Sequence, residues 1–118
     1  MARQTITKQI PLGPYPTLPV AANALDLAET AAIVADKEQF VPSGDDLVII
    51  HNTGASPYTV TFTSAADSLR RTGDITTYSV GAGLLAALRF KKPGWMQNDG
   101  RVYMEASNAA VKYVVIQL

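Results

Sequence analysis

The chain contains no cysteine and only one histidine, His51, and these two scarcities exclude more chemistry than any residue present assigns. Without cysteine there is no disulfide, no thiol nucleophile and no cysteine metal site. A Ser-His-Asp triad would have to use His51, and a histidine-based metal cluster cannot be assembled at all. His51 ends a β-branched run just before Asn52, a position that reads as a hydrogen-bonded turn residue rather than a general base. Charge of one sign is also missing: ten Lys and Arg balance ten Asp and Glu, for a formal net charge of +0. No whole-molecule field therefore draws the protein to nucleic acid or to an anionic membrane. No apolar run approaches the roughly 18 residues of a spanning helix, and Met1 to Ile10 lacks the apolar centre of a signal peptide. The chain is expected to be soluble and made in a cytosol.

The remaining candidates for chemistry dissolve on inspection. Asp45 and Asp46 are adjacent, so on a strand they point to opposite faces and form no carboxylate dyad; they read as a turn with solvated charge. Asp26, Glu29 and Asp36 lack the spacing of a calcium loop. Gly81-Ala82-Gly83 lacks the third glycine and the strand-to-helix context of a phosphate loop, and reads as a tight hairpin turn. No catalytic, cofactor-binding or metal-binding residue is assigned, no cofactor is implied, and an enzyme is not expected.

What the sequence does carry is β pattern. At 118 residues it is long enough for one domain that buries about two-thirds of the surface its unfolded chain exposes. Its organising stretch is Asp45 to Ser64. Leu47 to Ile50 form an apolar run, residues 52 to 57 break it, and Tyr58 to Thr63 alternate, with Tyr58, Val60 and Phe62 on one face and Thr59, Thr61 and Thr63 on the other. The spacing predicts a β-hairpin whose first arm is an inner strand. Further strands are expected over Ile75 to Val80, Leu84 to Phe90, Arg101 to Ala106 and Val111 to Leu118, with another near Ala24 to Thr30, where alanine-rich helical spacing competes. A ten-residue loop from Ala65 to Asp74 interrupts them. The fold class is all-β: an antiparallel β-sandwich or jelly-roll-like barrel of about seven or eight short strands. Residues 20–118 form the single β domain. Residues 1–19, with Pro11, Pro14, Pro16 and Pro19, form an extended N-terminal arm, because proline fixes φ and removes a backbone donor.

The residues expected to touch a partner lie in that arm and in two loops. Ile6, Ile10, Pro11, Leu12, Pro14, Tyr15 and Pro16 are the arm's contact candidates. Arg70 and Arg71, or Arg89, Lys91 and Lys92, could meet phosphate or carboxylate groups. Without interleaved aromatics on a shared face they read as a solvated or subunit-facing patch, and nucleic acid is not an expected partner. Trp95 reads as the closure of a core or an interface anchor; with Tyr103 and Tyr113 in one exposed row it would instead make a glycan-stacking platform. Three basic residues face six acidic ones in residues 1–59, and seven face four in residues 60–118, an asymmetry that suits head-to-tail contact between copies.

The run His51 to Ser64, the segment Arg71-Thr72-Gly73-Asp74-Ile75, and the ending from Gly94-Trp95-Met96-Gln97 through Tyr113 to Leu118 together resemble small β-rich virion proteins of tailed bacteriophages. The nearest type is the head decoration, or cement, protein. The resemblance spans residues 45–118 and is one of texture, without a diagnostic motif. It implies a non-enzymatic protein on the capsid exterior, made in the host cytoplasm. Its partners would be the major capsid protein and itself, as a homotrimer, with the arm contacting capsid or neighbours. A tail or connector component of the same virion and a carbohydrate-binding β-sandwich module are the alternatives.

Overall fold

The computed structural model describes residues 3–11, 22–23, 26–65 and 73–118, and they contain ten strands and no helix. The strands are β1 (Gln4–Thr5), β2 (Lys8–Gln9), β3 (Thr30–Ala31), β4 (Glu38–Phe40), β5 (Asp46–Asn52), β6 (Tyr58–Thr63), β7 (Ile75–Val80), β8 (Leu85–Phe90), β9 (Val102–Ala106) and β10 (Val111–Gln117). One sheet has the order β1-β4-β9-β6-β7. The other has the order β2-β10-β5-β8, with β3 also paired to β10. The fold is all-β and consistent with a sandwich. The sheets are mixed rather than wholly antiparallel, because β1 runs parallel to β4 and β2 parallel to β10.

The Asp45 to Ser64 stretch is not a hairpin. Its two arms are strands, but β5 pairs with β10 and β8 while β6 pairs with β9 and β7, so they lie in opposite sheets. Residues 53–57 form an arch between the layers. Gly81-Ala82-Gly83 corrects in the same way: it carries the chain from β7 in one sheet to β8 in the other. Alternation and turn residues specify two strands and a reversal, and they are satisfied equally by in-sheet pairing and by a crossing. What decides here is Asn52. Its side chain is fully buried. Its amide donates to the carbonyls of Ser56 (2.8 Å) and Val80 (2.9 Å), and its Oδ1 accepts from Gly54 N–H (2.9 Å). One side chain therefore fixes the arch and ties it to the end of β7. Gly54 is required at the bend, since a Cβ there would lie 2.6 Å from the Tyr58 ring.

Between the layers, β5 alternates as an inner strand should. Val48, Ile50 and Asn52 face the core, while Leu47, Ile49 and His51 are half-covered. Phe90 sits at the centre of an aromatic cluster, with ring centroids 4.9 Å from Phe62, 5.0 Å from Trp95 and 6.2 Å from Phe40. Offset and edge-on contacts at these separations add to the gain from removing large apolar surface from water.

Several local expectations change. Asp46 is not a solvated turn charge. It is fully buried and caps the Pro42-Ser43-Gly44 turn, accepting from Ser43 N–H (2.8 Å) and Ser43 Oγ (2.7 Å). The strand near Ala24 to Thr30 shrinks to Thr30–Ala31, with residues 24–25 outside the described residues. Residues 3–9 are extended as expected but belong to the body. β1 joins one sheet, β2 joins the other, and Ile6 between them is 3% exposed within the core.

A second buried acid faces this core. Glu38 on β4 is fully buried; its Oε2 accepts from Ile33 N–H (2.7 Å), and its Oε1 has no partner among the described residues. Burial pushes its pKa above the ordinary carboxylate range, partly offset by the Ile33 N–H and by Arg3. Tyr113, buried on β10, is raised as well, first by burial and then by the charge of Glu38.

Two predictions follow from these buried polar groups. Asn52→Ala leaves the Ser56 and Val80 carbonyls and the Gly54 N–H without their partner, so urea denaturation should show a loss of about 2–4 kcal/mol; a loss within error of zero would contradict the arch. For Glu38, the raised native pKa means that the folded state binds the proton more tightly than the unfolded one. Its contribution is complete below the unfolded pKa and is lost as pH rises through the folded value. The stability of Glu38→Gln relative to the unaltered chain should therefore increase from about pH 4 upward and then level off. A difference independent of pH would contradict the burial of this acid.

Candidate functional site

Strand directions collect the candidate contact residues at one end of the sandwich. β10 ends at Gln117 beside Asp46, where β5 begins and where β8 ends at Phe90. β2 runs parallel to β10, so the chain leaves β2 at this same end through Ile10, which is 72% exposed, and Pro11, also exposed. Beyond β8 the chain enters the 91–101 loop, which holds Trp95. That loop is bonded to the root of the 64–74 loop: Ala65 N–H donates to Gly94 O (2.7 Å), and the Gln97 side-chain amide donates to Thr63 O (3.0 Å) and Ser64 O (3.1 Å). The arm's exit, the Trp95 loop and the base of the Arg70-Arg71 loop thus converge. Leu12, Pro14, Tyr15, Pro16, Arg70 and Arg71 themselves lie outside the described residues.

The base of the 64–74 loop is clamped. Asp74 Oδ1 accepts from Ser64 N–H and Ser64 Oγ, each at 2.8 Å, and Gly73 N–H donates to Ser64 Oγ (2.9 Å). These bonds favour the charged carboxylate and hold Asp74 below its ordinary pKa. Two further acids at this end, Asp45 and Asp99, are engaged within the chain too. Asp45 is held by a bidentate contact with Arg89 (Nε to Oδ1 2.6 Å), which lowers its pKa. Asp99 accepts from Arg101 N–H (3.0 Å) and from the Tyr103 hydroxyl. Lys91 and Lys92 are exposed and, among the described residues, have no carboxylate within ion-pair distance. With the described acids satisfied inwardly and no ion pair to Lys91 or Lys92 among the described residues, this end presents two exposed lysines and the exposed Ile10 outward.

Two sequence candidates take other roles. Ile6 is part of the core and is not available to a partner. Trp95 is half-buried and packs edge-on against Phe90, with 86° between the rings, so it closes this end of the core. The glycan platform is not assembled: Tyr113 is fully buried, and Tyr103 is covered by the Arg3 guanidinium, 4.0 Å from its ring centroid. Arg3 is held there by Glu38 O (3.0 Å), Met104 O (3.2 Å) and Glu105. His51 lies within β5 and bonds Glu29 through Nδ1 (2.8 Å), tying the segment before β3 to the outer face of the sheet. Among the described residues no group of three or more His, Cys, Asp or Glu could hold a metal ion.

The residues that sequence reasoning missed are the polar fasteners: Asn52, Asp46, and the Ser64–Asp74 clamp. Each is a short polar side chain at a strand end or loop base, a position where such groups bond nearby backbone. Asp74→Ala should loosen the loop root and accelerate tryptic cleavage after Arg70 or Arg71 several-fold, with global stability little changed. An unchanged cleavage rate would show that the clamp does not restrain the loop. Comparison with known protein families, with curated proteins and with solved structures found no match to this chain.

Proposed function

We propose that this protein is a non-enzymatic structural component of a tailed-phage virion that binds the outer surface of the capsid, by its loop end, and stabilises the shell. The observation that supports this reading is the convergence of three contact segments on one end whose described acids, Asp45, Asp74 and Asp99, are engaged internally. Ile10 and Pro11 lie exposed where the chain leaves β2 at that end, which also holds the 91–101 loop and the fastened base of the 64–74 loop. Fastened loop bases beside the exit of the N-terminal segment suit a clamp across a joint between capsid subunits. Many modest contacts, repeated over a symmetric shell, add up to firm attachment. The partner surface is the major capsid protein, and its complementary chemistry is acidic, facing Lys91 and Lys92.

Co-sedimentation with capsid shells stripped of this protein tests the reading. The unaltered protein should bind expanded shells saturably and more weakly as salt rises. Lys91→Glu combined with Lys92→Glu should reduce affinity at least about tenfold at low salt while the fold is retained. Absence of binding to shells, or full binding by the double variant, would overturn it.

A further inference from the structure

The two sheets have four lateral edges, and three of them are blunted. β1 is two residues long and so are β2 and β3, which together border β10. β7 is longer, but its pairing with β6 shifts register between Val60 and Phe62, and Thr77 adopts a positive φ of 49°. A β-branched residue in that region marks a bulge, and bulges protect edges from pairing with other chains. β8 has none of these devices. It is six residues long, in unbroken register with β5, and free of charge and proline from Leu85 to Leu88.

The register identifies which backbone groups β8 offers. Asn52 N–H donates to Leu84 O (3.0 Å), so Leu84, Ala86, Leu88 and Phe90 turn their polar groups toward β5. Leu85, Ala87 and Arg89 therefore point their N–H and C=O groups away from the sheet, and these have no backbone partner among the described residues. Leu84 and Leu85 beside them are 60% and 64% exposed. A shallow pocket of ≈ 250 Å³, lined by Tyr78 and Leu85 to Leu88, runs along the edge.

We infer that β8 is a self-association edge, on which a second copy of this chain pairs its own β8 antiparallel about a two-fold axis at Ala87. The outward set Leu85, Ala87, Arg89 is symmetric about its centre. In this register Ala87 faces Ala87 of the other copy, and Leu85 faces the other copy's Arg89, so every outward amide and carbonyl of the three residues is paired. The small Ala87 side chains allow close approach at the axis, and the aliphatic stem of Arg89 covers the exposed Leu85 opposite. Charges are compatible. Each Arg89 is already neutralised by its own Asp45, and Lys91 and Lys92 fall opposite Gly83 and Ala82, away from any cation. The two four-stranded paths then join into one continuous sheet. A single edge pair buries less than the roughly 1,200–2,000 Å² of a stable interface. The free pair is therefore weak, with a dissociation constant of about 10–100 µM, and is suited to strengthening when copies are held close together.

Sedimentation equilibrium from about 10 µM to 1 mM tests this. The unaltered chain should approach twice the monomer mass as concentration rises. Ala87→Lys and Ala87→Asp place like charges face to face on the axis, so each alone should stay monomeric, and an equimolar mixture should regain the dimer. Both retain the monomer fold, checked by thermal unfolding, because Ala87 is exposed on an edge strand. Ser79→Lys on the bulged β7 edge should dimerise as the unaltered chain does. An unaltered chain that stays monomeric to 1 mM or forms a trimer, an Ala87→Lys variant that dimerises normally, or a mixture that stays monomeric would overturn the inference.

Discussion

The side-chain amide of Asn52 is the interaction on which the two-layer arrangement depends. It is buried where the chain leaves one sheet for the other, and its three hydrogen bonds hold the arch and the end of β7 together. The backbone of the same residue bonds Leu84 and Gly83, at the start of β8. Three strands of two different sheets are thus referred to one residue. A buried amide left unpaired is costly, and a fully paired one specifies a single geometry. The aromatic cluster around Phe90 supplies apolar driving force between the layers, but it is tolerant of direction. The amide is not.

The strands were legible in the sequence because alternation and β-branched runs have direct causes in side-chain geometry: Tyr58 to Thr63, Ile75 to Val80 and Val111 to Gln117 all form where the pattern places them. Their partners were not legible. Asn52 to Pro57 and Gly81 to Gly83 look like hairpin turns because reversal needs the same residues whether the next strand joins the same sheet or the facing one. The N-terminal residues show a second limit. Four residues in two short strands carry almost no periodic signal, yet β1 and β2 pair with β4 and β10, and Ile6 fills the core between them. The candidate site was legible in part. Trp95 and the basic loop residues could be named from the sequence, but the convergence of the Trp95 loop and the base of the 64–74 loop with the chain's exit from β2 follows from strand direction, which sequence does not encode locally.

The proposed contacts use different parts of the fold. At one end, polar fasteners such as Ser64–Asp74 and the Gln97 amide hold the loop bases, and the described acids are engaged within the chain while Lys91 and Lys92 are exposed. Along one side, β8 keeps an unblunted edge while the other three are shortened or bulged. A fold that blunts three edges and spares the fourth treats pairing as a contact to be used. The proposed binding by the loop end and the inferred pairing by the edge involve different surfaces, so the two proposals are compatible.

The assignment of the loop end as the binding surface is the central functional claim, and hydrogen–deuterium exchange of the protein, free and bound to expanded capsid shells, tests it most directly. Binding by this end predicts added protection at the Ile10 amide and at the amides of the 91–101 and 64–74 loops, with the polar outer face formed by Thr59, Thr61 and Glu105 unchanged. Protection confined to that face, with the loop end exchanging as in the free protein, would contradict it.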